Sequence, residues 1–409
     1  MKVLFISHYF PPEVNAPANR TYEHARRWVA DGHEVTIITG VPNHPKGEIF
    51  PGYENRWMQE EMKEGIRVIR TWMYLGASEN VVTRSLNYVL FAFTVLAASL
   101  RAGSPDVVVA TTPQFSSGVA GAIVSRLKRR PFVLEVRDLW PDSIVQLLPL
   151  RSRIVIRFLE IIEKLLYRTA TGIVVNSRAF IDHIATFGIP KRRICLVYNG
   201  IDPRLFRVGA RDDALLREHG LEGKFLVAYI GTLGMAHGLV TVLEAAEKVR
   251  DLEDVVFLLI GDGADRARLE EELAERGLTN VRLLGLRPRP EIPRWIASID
   301  VSLVLLRDLP VLETVVPSKI FETLAEARPV ILAARGEIRR MVEEAKAGFV
   351  IDPESPKQLA EAVRMVRAQP AEATARARNG REWVQLSFQR DELARTMAAF
   401  LEEVAREGR

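Results

Sequence analysis

Lys319 and Glu322, one helical turn apart, are the two residues of this chain with the clearest potential for chemistry. Pro317 suits the first turn of a helix, on which Ser318, Lys319 and Glu322 would share the polar face. A helix that opens after the buried strand predicted at 301–306 offers free N–H groups and a partial positive charge, which suit a phosphate. Lys319 would add a full positive charge, and Glu322 could accept hydrogen bonds from sugar hydroxyls. The alternative is an ordinary amphipathic helix with a solvated polar face.

Two glycine-rich loops precede this helix in the chain. The first, 231–238, lies between a predicted strand at 224–230 and a predicted helix at 239–250. The second, 261–263, follows a predicted strand at 255–260. Glycines at such places allow the backbone to approach a ligand closely, although a tight turn can require them for steric reasons alone. The candidate binding residues in these loops are Gly231, Thr232, Gly234, His237 and Gly263.

The composition is that of an ordinary globular protein with a large core. Of the 409 residues 48% are hydrophobic and 26% charged, and 56 basic residues face 52 acidic ones, with a pI near 9.2. This mild basic excess suits an anionic ligand or a membrane surface, but it forms no tract of the kind that binds nucleic acid. Cys195 lies in an apolar run, so a buried small hydrophobe is the better interpretation than a nucleophile. A single cysteine and an apolar start too short for a signal peptide predict a cytoplasmic protein.

Short Val/Ile/Leu-rich runs alternate with helical segments along the chain. This pattern predicts α/β architecture with parallel sheets covered on both faces. Turn-forming residues at 199–203 suggest a linker at about 200–210, and we predict domains at 1–205 and 206–375, followed by helices at 376–409. Two such domains imply a cleft in which strand ends and helix N-termini meet a shared ligand. The absence of a G-x-G-x-x-G motif after the first strand argues against a dehydrogenase.

Two segments of the first half depart from this alternation of strands and helices. Residues 41–80 suggest a long loop with a strand near 66–70, in which His44 is a candidate substrate contact or part of a plain surface insertion. Residues 85–100 carry no charge and are too few for the roughly 20 residues of a membrane span. They predict either a helix packed inside the domain or one whose outer face dips into a membrane interface.

The ordered motifs resemble the retaining glycosyltransferases of family 4, which have the GT-B architecture of two facing Rossmann-like domains. The bacterial branch that adds acetamido sugars, including N-acetylfucosamine, during O-antigen and capsule synthesis is the most similar. In that family the last helix commonly returns to the first domain. The motifs that carry the resemblance are Phe10–Pro12, Arg137–Asp142, Asn199–Asp202, the two glycine-rich loops, and Glu313 through Glu322.

The chain departs from the family pattern at its charged positions. The paired glutamates of the family are separated by seven residues, whereas eight separate Glu313 from Glu322, and Thr314 holds the strict first position. Thr232 and His237 stand where many members carry an Arg and a Lys for the diphosphate. Lys319 is therefore the best remaining cation for that charge, with Arg137 as the alternative; Arg137 itself stands where a His is often found.

The resemblance implies a role for each candidate residue. Lys319 would stabilise the leaving diphosphate, Glu322 would bind the ribose, and Glu313 would hold hydroxyls of the donor sugar. Asp138 would orient the acceptor hydroxyl or stabilise positive charge on the sugar ring, and a structural role in capping the turn before Pro141 is an equal alternative. The Asn15–Asn19 loop and helix start would close over the reacting groups from the first domain.

These inferences converge on a retaining, metal-independent glycosyltransferase. It would move an acetamido sugar from a UDP-sugar, its co-substrate, to a polyprenyl-diphosphate-linked or glycan acceptor in cell-surface polysaccharide synthesis. No D-x-D-type acidic pair and no His/Cys cluster with ligand spacing is found, so we expect neither metal nor cofactor. The protein would lie in the cytoplasm, with peripheral contact to the inner face of the plasma membrane. The alternatives are a UDP-sugar 2-epimerase of the same fold and a non-catalytic nucleotide-sugar-binding subunit.

Overall fold

The structure, a computed structural model, describes residues 1–44, 47–75, 81–147 and 152–408. It divides the chain into two compact units, Met1–Tyr198 with Arg390–Arg409, and Asn199–Gln389. The first border therefore lies before the linker predicted at 200–210, which belongs to the second unit. Backbone contacts explain this position, because Ile201 donates to the carbonyl of Phe388 at 2.9 Å and bridges to Gln389.

The sheet of the first unit has the strand order β3-β4-β2-β1-β5-β6-β7-β8 and is parallel except for β3, which pairs antiparallel with β4 at the edge. The strand β3 was not predicted, because four of its six residues are polar or charged and it contains no apolar run. The strands are β1 (Lys2–Ile6), β2 (Glu34–Gly40), β3 (Met58–Lys63), β4 (Ile66–Thr71), β5 (Val107–Thr111), β6 (Phe132–Val136), β7 (Gly172–Val175) and β8 (Ile194–Leu196).

Helices cover both faces of this sheet. They are α1 (Ala16–Ala30), α2 (Val81–Ser99), α3 (Phe115–Lys128), α4 (Asp142–Leu147), α5 (Arg153–Thr169), α6 (Arg178–Ala185) and, from the end of the chain, α15 (Arg390–Glu407). The helix α15 packs along α1, where the Trp28 Nε1–H donates to the carbonyl of Ala394 at 2.9 Å. Met397 and Leu401 are buried in the same core, which therefore includes the C-terminal segment. Cys195 is half-buried against this core, less deeply than the sequence predicted.

The uncharged segment near 85–100 forms most of α2. Its inner side buries Phe91 and Val95, whereas Val89 and Phe93 on its outer side are exposed. The helix thus packs on one side and presents apolar groups on the other, and contact of its outer face with a membrane stays a prediction. None of the helices in the described part of the chain combines the length and the apolarity that crossing a membrane requires.

The second unit contains a fully parallel six-stranded sheet in the order β11-β10-β9-β12-β13-β14. Its strands are β9 (Phe225–Ile230), β10 (Val255–Ile260), β11 (Val281–Gly285), β12 (Val301–Leu305), β13 (Val330–Ala333) and β14 (Phe349–Ile351). Its helices are α7 (Asp213–Glu218), α8 (Val240–Lys248), α9 (Arg266–Glu275), α10 (Ile292–Ser298), α11 (Ser318–Ala325), α12 (Gly336–Glu344), α13 (Pro356–Ala368) and α14 (Pro370–Ser387). The prediction of two α/β domains built on parallel sheets is confirmed.

The strand order of the second sheet reverses between β9 and β12. The chain builds outward from β9 through β10 to β11, and then returns to the other side of β9 with β12. At such a switch point the loops after the two neighbouring strands turn to opposite sides and leave a crevice at the carboxyl ends. The first glycine-rich loop follows β9 and the helix α11 follows β12, so the topology brings these two segments to one crevice.

Candidate active site

The two glycine-rich loops of the second unit interlock at the ends of β9 and β10. Gly231 and Gly261 adopt φ values of +146° and +149°, which only glycine adopts without strain. A Cβ atom on Gly261 would collide with the carbonyl oxygen of Gly231. The backbone N–H of Leu233 donates to the carbonyl of Asp262 at 2.9 Å. Backbone contacts therefore join the two loops to each other.

The other two candidate glycines, Gly263 and Gly234, differ in their surroundings. Gly263, with a φ of +157°, lies so close to the carbonyl of Leu233 that any Cβ atom would collide with it. Gly234 has an extended backbone and ordinary space for a Cβ atom, the nearest contact being the Thr232 methyl at 3.7 Å. Gly263 is thus explained by packing within the protein. Gly234 is not, and its bare backbone leaves room for a ligand.

Lys319 projects its ammonium group toward the first loop. Its Nζ lies 3.6 Å from the centroid of the Tyr229 ring, and a Cβ atom on Gly231 would approach Nζ to 2.8 Å. The nitrogen is buried and has no hydrogen-bond partner among the described residues, although the residue as a whole is half-buried. Burial lowers the pKa of Lys319 to about 7, against the opposing effect of the Glu322 carboxylate. The alternative interpretation, a solvated polar face, is therefore wrong for the Lys319 ammonium.

An ammonium group without a hydrogen-bond acceptor is costly to bury. The Tyr229 ring compensates in part through a cation–π contact. A phosphate oxygen would supply the missing acceptor, and Lys319 lies at the start of α11, where the free N–H groups of the first turn also favour an anion. Ser318, the first residue of α11, belongs to the same turn. The space beside the Lys319 ammonium and the first turn of α11 therefore favours a negatively charged group.

His237 holds the first loop against the end of β12. Its Nδ1 lies 2.9 Å from the carbonyl of Leu305, and because a carbonyl only accepts, Nδ1 must carry the proton. Burial lowers the pKa of His237 to about 3, and the nearby charge of Lys319 acts in the same direction. His237 is therefore neutral and cannot replace the missing cation of the loop. Thr232 is exposed, and its carbonyl accepts a hydrogen bond from the Tyr229 hydroxyl at 2.7 Å.

Glu322 pairs with an arginine that sequence reasoning missed. The Arg289 Nη1 lies 3.6 Å from the Glu322 Oε1, and the Arg289 guanidinium stands over the Phe206 ring at 5.7 Å from its centroid. Arg289 lies in the short segment between β11 and α10, which shows no glycine motif or apolar pattern that would have drawn attention to it. The pair holds the Glu322 carboxylate one turn beyond Lys319 on α11.

Glu313 lies in a short 3-10 helix, Pro310–Thr314, between β12 and α11. Its side chain is exposed, and its carbonyl oxygen is packed so closely against Gly336 that a Cβ atom there would collide with it. The Thr314 hydroxyl, in the strict family position, donates to the carbonyl of Val311 at 2.6 Å. Thr314 thus caps its own turn, whereas Glu313 keeps its carboxylate in solvent.

In the first unit, Arg137 and Asp138 follow directly after β6. The Arg137 side chain is buried, and its Nε and Nη1 have no hydrogen-bond partner among the described residues. Burial lowers the pKa of Arg137 to about 10, although the Glu135 carboxylate opposes this shift. Burial likewise raises the pKa of Asp138 to about 6, against the opposing effect of Arg137. Two ionisable groups with perturbed pKa values therefore lie side by side at a strand end, a place where functional residues cluster.

The turn-capping alternative for Asp138 gains no support from the described residues. The only hydrogen bond found for Asp138 there is made by its backbone carbonyl, which accepts from the Trp140 N–H at 3.2 Å.

A buried ion pair beside this turn, between Arg20 and Glu135, was not predicted from the sequence. The Arg20 Nε donates to the Glu135 Oε1 at 2.8 Å, and Arg20 also donates to the carbonyls of Val197 and Tyr198. This buried pair ties α1 to the ends of β6 and β8.

Asn15 is the N-cap of α1. Its Oδ1 accepts from the Ala18 N–H at 2.9 Å, which satisfies one free donor of the helix end, while its Nδ2 is buried without a partner in the described part of the chain. The nearby Glu13 carboxylate accepts the backbone N–H groups of Asn43 and His44, at 3.1 and 3.0 Å. His44 thus lies in a loop that Glu13 fixes, with its ring edge-on to Tyr9.

No group of three or more His, Cys, Asp or Glu side chains arranged to hold a metal ion is found among residues 1–44, 47–75, 81–147 and 152–408. The absence of a metal from the reaction stays a prediction, and so does the absence of a cofactor.

Two family models match the chain. Residues 15–200 match the glycosyl transferase 4-like domain, and residues 212–383 match the glycosyl transferases group 1. The chain is 25% identical over 407 residues to the putative colanic acid biosynthesis glycosyl transferase WcaI of Escherichia coli (strain K12), covering 97% of this chain and 98% of that protein. It is 27% identical over 393 residues to the GDP-mannose-dependent alpha-mannosyltransferase of Mycobacterium tuberculosis, covering 94% and 93%.

Solved structures share the fold. Sucrose-phosphate synthase from Thermosynechococcus elongatus superposes with a TM-score of 0.80 at 18% identity, covering 99% of both chains. Anabaena Alr3699/HepE, in complex with UDP and glucose, superposes with a TM-score of 0.73 at 19% identity, covering 98% of this chain and 99% of that one. At these identities the structures establish the fold alone. Since the two family models together match almost the whole of both units, and the sheets have the expected topology, the chain belongs to the GT-B glycosyltransferases of family 4.

Proposed function

We propose that this glycosyltransferase moves an acetamido sugar from a UDP-sugar to a lipid-linked or glycan acceptor, with retention of configuration and without a metal. The bond between the anomeric carbon and the β-phosphate oxygen breaks, and the acceptor oxygen bonds to the same face of that carbon. The acceptor proton leaves with the diphosphate. The protein must therefore stabilise growing negative charge on the β-phosphate and hold the acceptor close to the sugar.

The observation that carries this proposal is the buried, unpartnered ammonium of Lys319. It lies beside Gly231 at the switch point of the sheet, at the start of a helix. Preorganised donors aimed at the position of developing charge are worth about 2.7–4 kcal/mol each in other enzymes. Lys319 meets this description, and the neutral His237 does not. Lys319 is hence assigned to the leaving diphosphate. The alternative cation, Arg137, is instead placed with Asp138 in the first unit.

The other residues divide by unit. In the second unit Glu322, held by Arg289, would accept the ribose hydroxyls, and the exposed Glu313 would hold hydroxyls of the donor sugar. In the first unit Asp138 would orient the acceptor hydroxyl or stabilise positive charge on the sugar ring, with Arg137 beside it. Asn15, whose Nδ2 lacks a partner, would contribute a donor from the start of α1.

The donor and the biological setting are supported by the relatives and by the motifs. WcaI is named for colanic acid biosynthesis, and HepE was solved with UDP and glucose, which supports a uridine donor and a role in polysaccharide synthesis. The M. tuberculosis relative uses GDP-mannose, so guanosine is the main competing base. The motifs Asp-Leu-Trp-Pro and Pro-Ser-Lys-x-x-Glu support the acetamido sugar, and a polyprenyl-diphosphate-linked acceptor would place the enzyme at the inner face of the plasma membrane.

A panel of nucleotide sugars tests the proposal. Purified protein is mixed with UDP- and GDP-linked hexoses and N-acetylhexosamines, and thermal stability is measured, because a ligand that binds only the folded state raises the melting temperature. We expect the largest shift with a UDP-N-acetylhexosamine, unchanged by EDTA. The same donor should stay intact without acceptor, whereas a 2-epimerase would convert it. A shift with GDP-sugars alone, or conversion without acceptor, would overturn the assignment.

A further inference from the structure

Three neighbouring helices on one face of the first unit expose apolar side chains in helical register. The helix α2 packs beside α3, and α3 packs beside α5, where Gly118 of α3 leaves space for Leu166 of α5. These three helices form what we call the α2-α3-α5 face. Its exposed large apolar residues are Leu86, Val89 and Phe93 on α2, Ile123 and Leu127 on α3, and Ile154, Val155, Phe158, Ile161 and Leu165 on α5.

The helix α5 is the clearest element of this face. Ile154, Phe158, Ile161 and Leu165 are spaced by four, three and four residues, so they form one stripe along a helix about 25 Å long. Phe158 is 61% exposed and Ile154 is 83% exposed. Exposed apolar patches of this extent are rare on soluble monomers and mark a site of contact with a membrane or another molecule.

The inner side of α5 is well anchored. Leu166 and Tyr167 are buried, and the Tyr167 hydroxyl donates to the buried Glu163 carboxylate at 2.9 Å. The His183 ring of α6 approaches the same carboxylate at 3.3 Å. The stripe is therefore not a helix displaced from its core position, and its outer residues can be replaced without disturbing the packing beneath them.

Basic side chains lie along the stripe. On α5 the exposed basic residues are Arg153, Arg157, Lys164 and Arg168. The helices α2 and α3 contain no Asp or Glu, and the one carboxylate of α5 that is not buried, Glu160, pairs with Arg157 at 3.0 Å. An apolar stripe flanked by basic residues is the pattern of a helix that lies in the interface of an anionic bilayer.

We propose that the α2-α3-α5 face docks onto an anionic lipid bilayer, with the α5 stripe inserted at the boundary between headgroups and acyl chains. A second copy of this chain fits the charge less well, because a symmetric contact would bring the same basic residues together with few carboxylates to meet them. The lipid-linked acceptor of the proposed function gives this surface a use, and the choice of partner rests on that function to this extent. The docking itself rests on exposure and charge.

Vesicle flotation of the full chain tests the docking. Vesicles contain phosphatidylcholine alone or with phosphatidylglycerol, and the protein should float only with the anionic vesicles. The variant Phe158→Asp with Leu165→Asp removes the apolar contact, and its control, Met62→Asp with Leu386→Asp, changes two apolar residues elsewhere that are even more exposed. The variant Lys164→Glu with Arg168→Glu reverses two charges, and its control is Arg56→Glu with Lys357→Glu.

Both α5 variants should lower the partition coefficient at least about tenfold, whereas the controls should stay within about twofold of the wild type. Equal losses in variant and control, or no flotation of the wild type, would overturn the proposal. A wild-type dimer that becomes a monomer on changing Phe158 and Leu165 would assign the face to a second copy instead. Thermal stabilisation by UDP, measured on the same preparations, separates a failure of docking from a failure of the proposed donor site.

Discussion

At the scale of single residues, Lys319 and Glu322 occupy one helix but should contribute at different stages of the reaction. Lys319 would meet charge that grows as the diphosphate leaves, whereas Glu322 would meet a ribose that does not change. Interactions that strengthen only in the transition state raise kcat, and uniform binding lowers KM. The two residues can therefore be told apart by kinetics.

We expect Lys319→Ala to lower kcat more than it weakens donor binding, by roughly 2–4 kcal/mol in transition-state stabilisation. Glu322→Gln should mainly raise KM for the donor, because it loses a uniform interaction. Steady-state kinetics with the donor found in the thermal screen measures both values. Two folded variants with wild-type kcat and KM would show that the polar side of α11 has no part in the reaction.

The lowered pKa of Lys319 predicts that donor binding depends on pH. The folded protein without ligand holds this pKa at about 7, and the unfolded chain near 10.4. Between these values the unfolded state binds more protons, so this group makes stability rise with pH from about 7 to about 10. A bound diphosphate favours the charged ammonium and raises its pKa. UDP should hence take up a proton on binding between pH 7 and 9, and its affinity should fall as the pH rises.

Calorimetry in buffers of different ionisation enthalpy measures this uptake. UDP is almost fully ionised above pH 7, since the second pKa of a phosphate is near 6. Burial also raises the pKa of Glu326, at the C-terminal end of the same helix, to about 8, so the variant Lys319→Met is needed as a control. Uptake that persists in this variant would assign the proton to Glu326 or another group.

At the scale of elements, the two glycine-rich loops can interlock only because glycines stand where their backbones meet. Gly261→Ala would place a methyl group against the Gly231 carbonyl at a φ of +149°. We expect a loss of more than about 3 kcal/mol in the free energy of unfolding, together with loss of UDP binding. Gly277→Ala is the control, because Gly277 has a φ of +57° and no atom within 4 Å of a Cβ atom, which predicts a loss near 1 kcal/mol. Equal effects in urea unfolding would contradict the interlocked loops.

The sequence alone indicated most residues of the candidate site, but not the residues that pair with them. The glycines, Lys319 and Glu322 were recognised from local pattern, because a loop between strand and helix can be read from neighbouring residues. The Arg289–Glu322 and Arg20–Glu135 pairs join residues distant in sequence, so no local pattern predicts them. The burial of the Lys319 ammonium was likewise missed. Helical periodicity predicts which side of α11 is polar, but it does not predict that the Tyr229 ring and the first glycine-rich loop cover that side.

At the scale of the whole molecule, alternating apolar runs and helices were sufficient to predict two α/β units with parallel sheets. The edge strand β3 was missed because an exposed antiparallel edge has no continuous apolar run. The border at Tyr198 was also not predicted, because it depends on backbone contacts between Ile201 and the end of α14. The local sequence pattern thus predicts the strands and helices of each unit. The ends of each unit depend on contacts between residues that are distant in sequence.

The division into units predicts how fragments behave. Residues 199–389 contain every residue assigned to the donor, so this fragment should fold and bind UDP weakly on its own. Residues 1–198 lack α15, which buries Met397 and Leu401 and accepts the Trp28 hydrogen bond, so they should unfold at lower urea concentration than the same fragment joined to 390–409 by a flexible linker. Circular dichroism and calorimetry measure both results. UDP binding that maps only to residues 1–198 would reverse the assignment.

The binding of UDP compared with uridine tests the central claim most directly, because the two ligands differ only in the diphosphate that Lys319 is proposed to meet. Calorimetry on the wild type, Lys319→Met and Glu322→Gln gives six dissociation constants. Lys319→Met should weaken UDP by about 10- to 100-fold, as expected for hydrogen bonds to charged groups, and leave uridine within about twofold. Glu322→Gln should weaken both ligands by similar factors. Unchanged UDP affinity in Lys319→Met, or an equal loss for UDP and uridine, would contradict the assignment of Lys319 to the diphosphate.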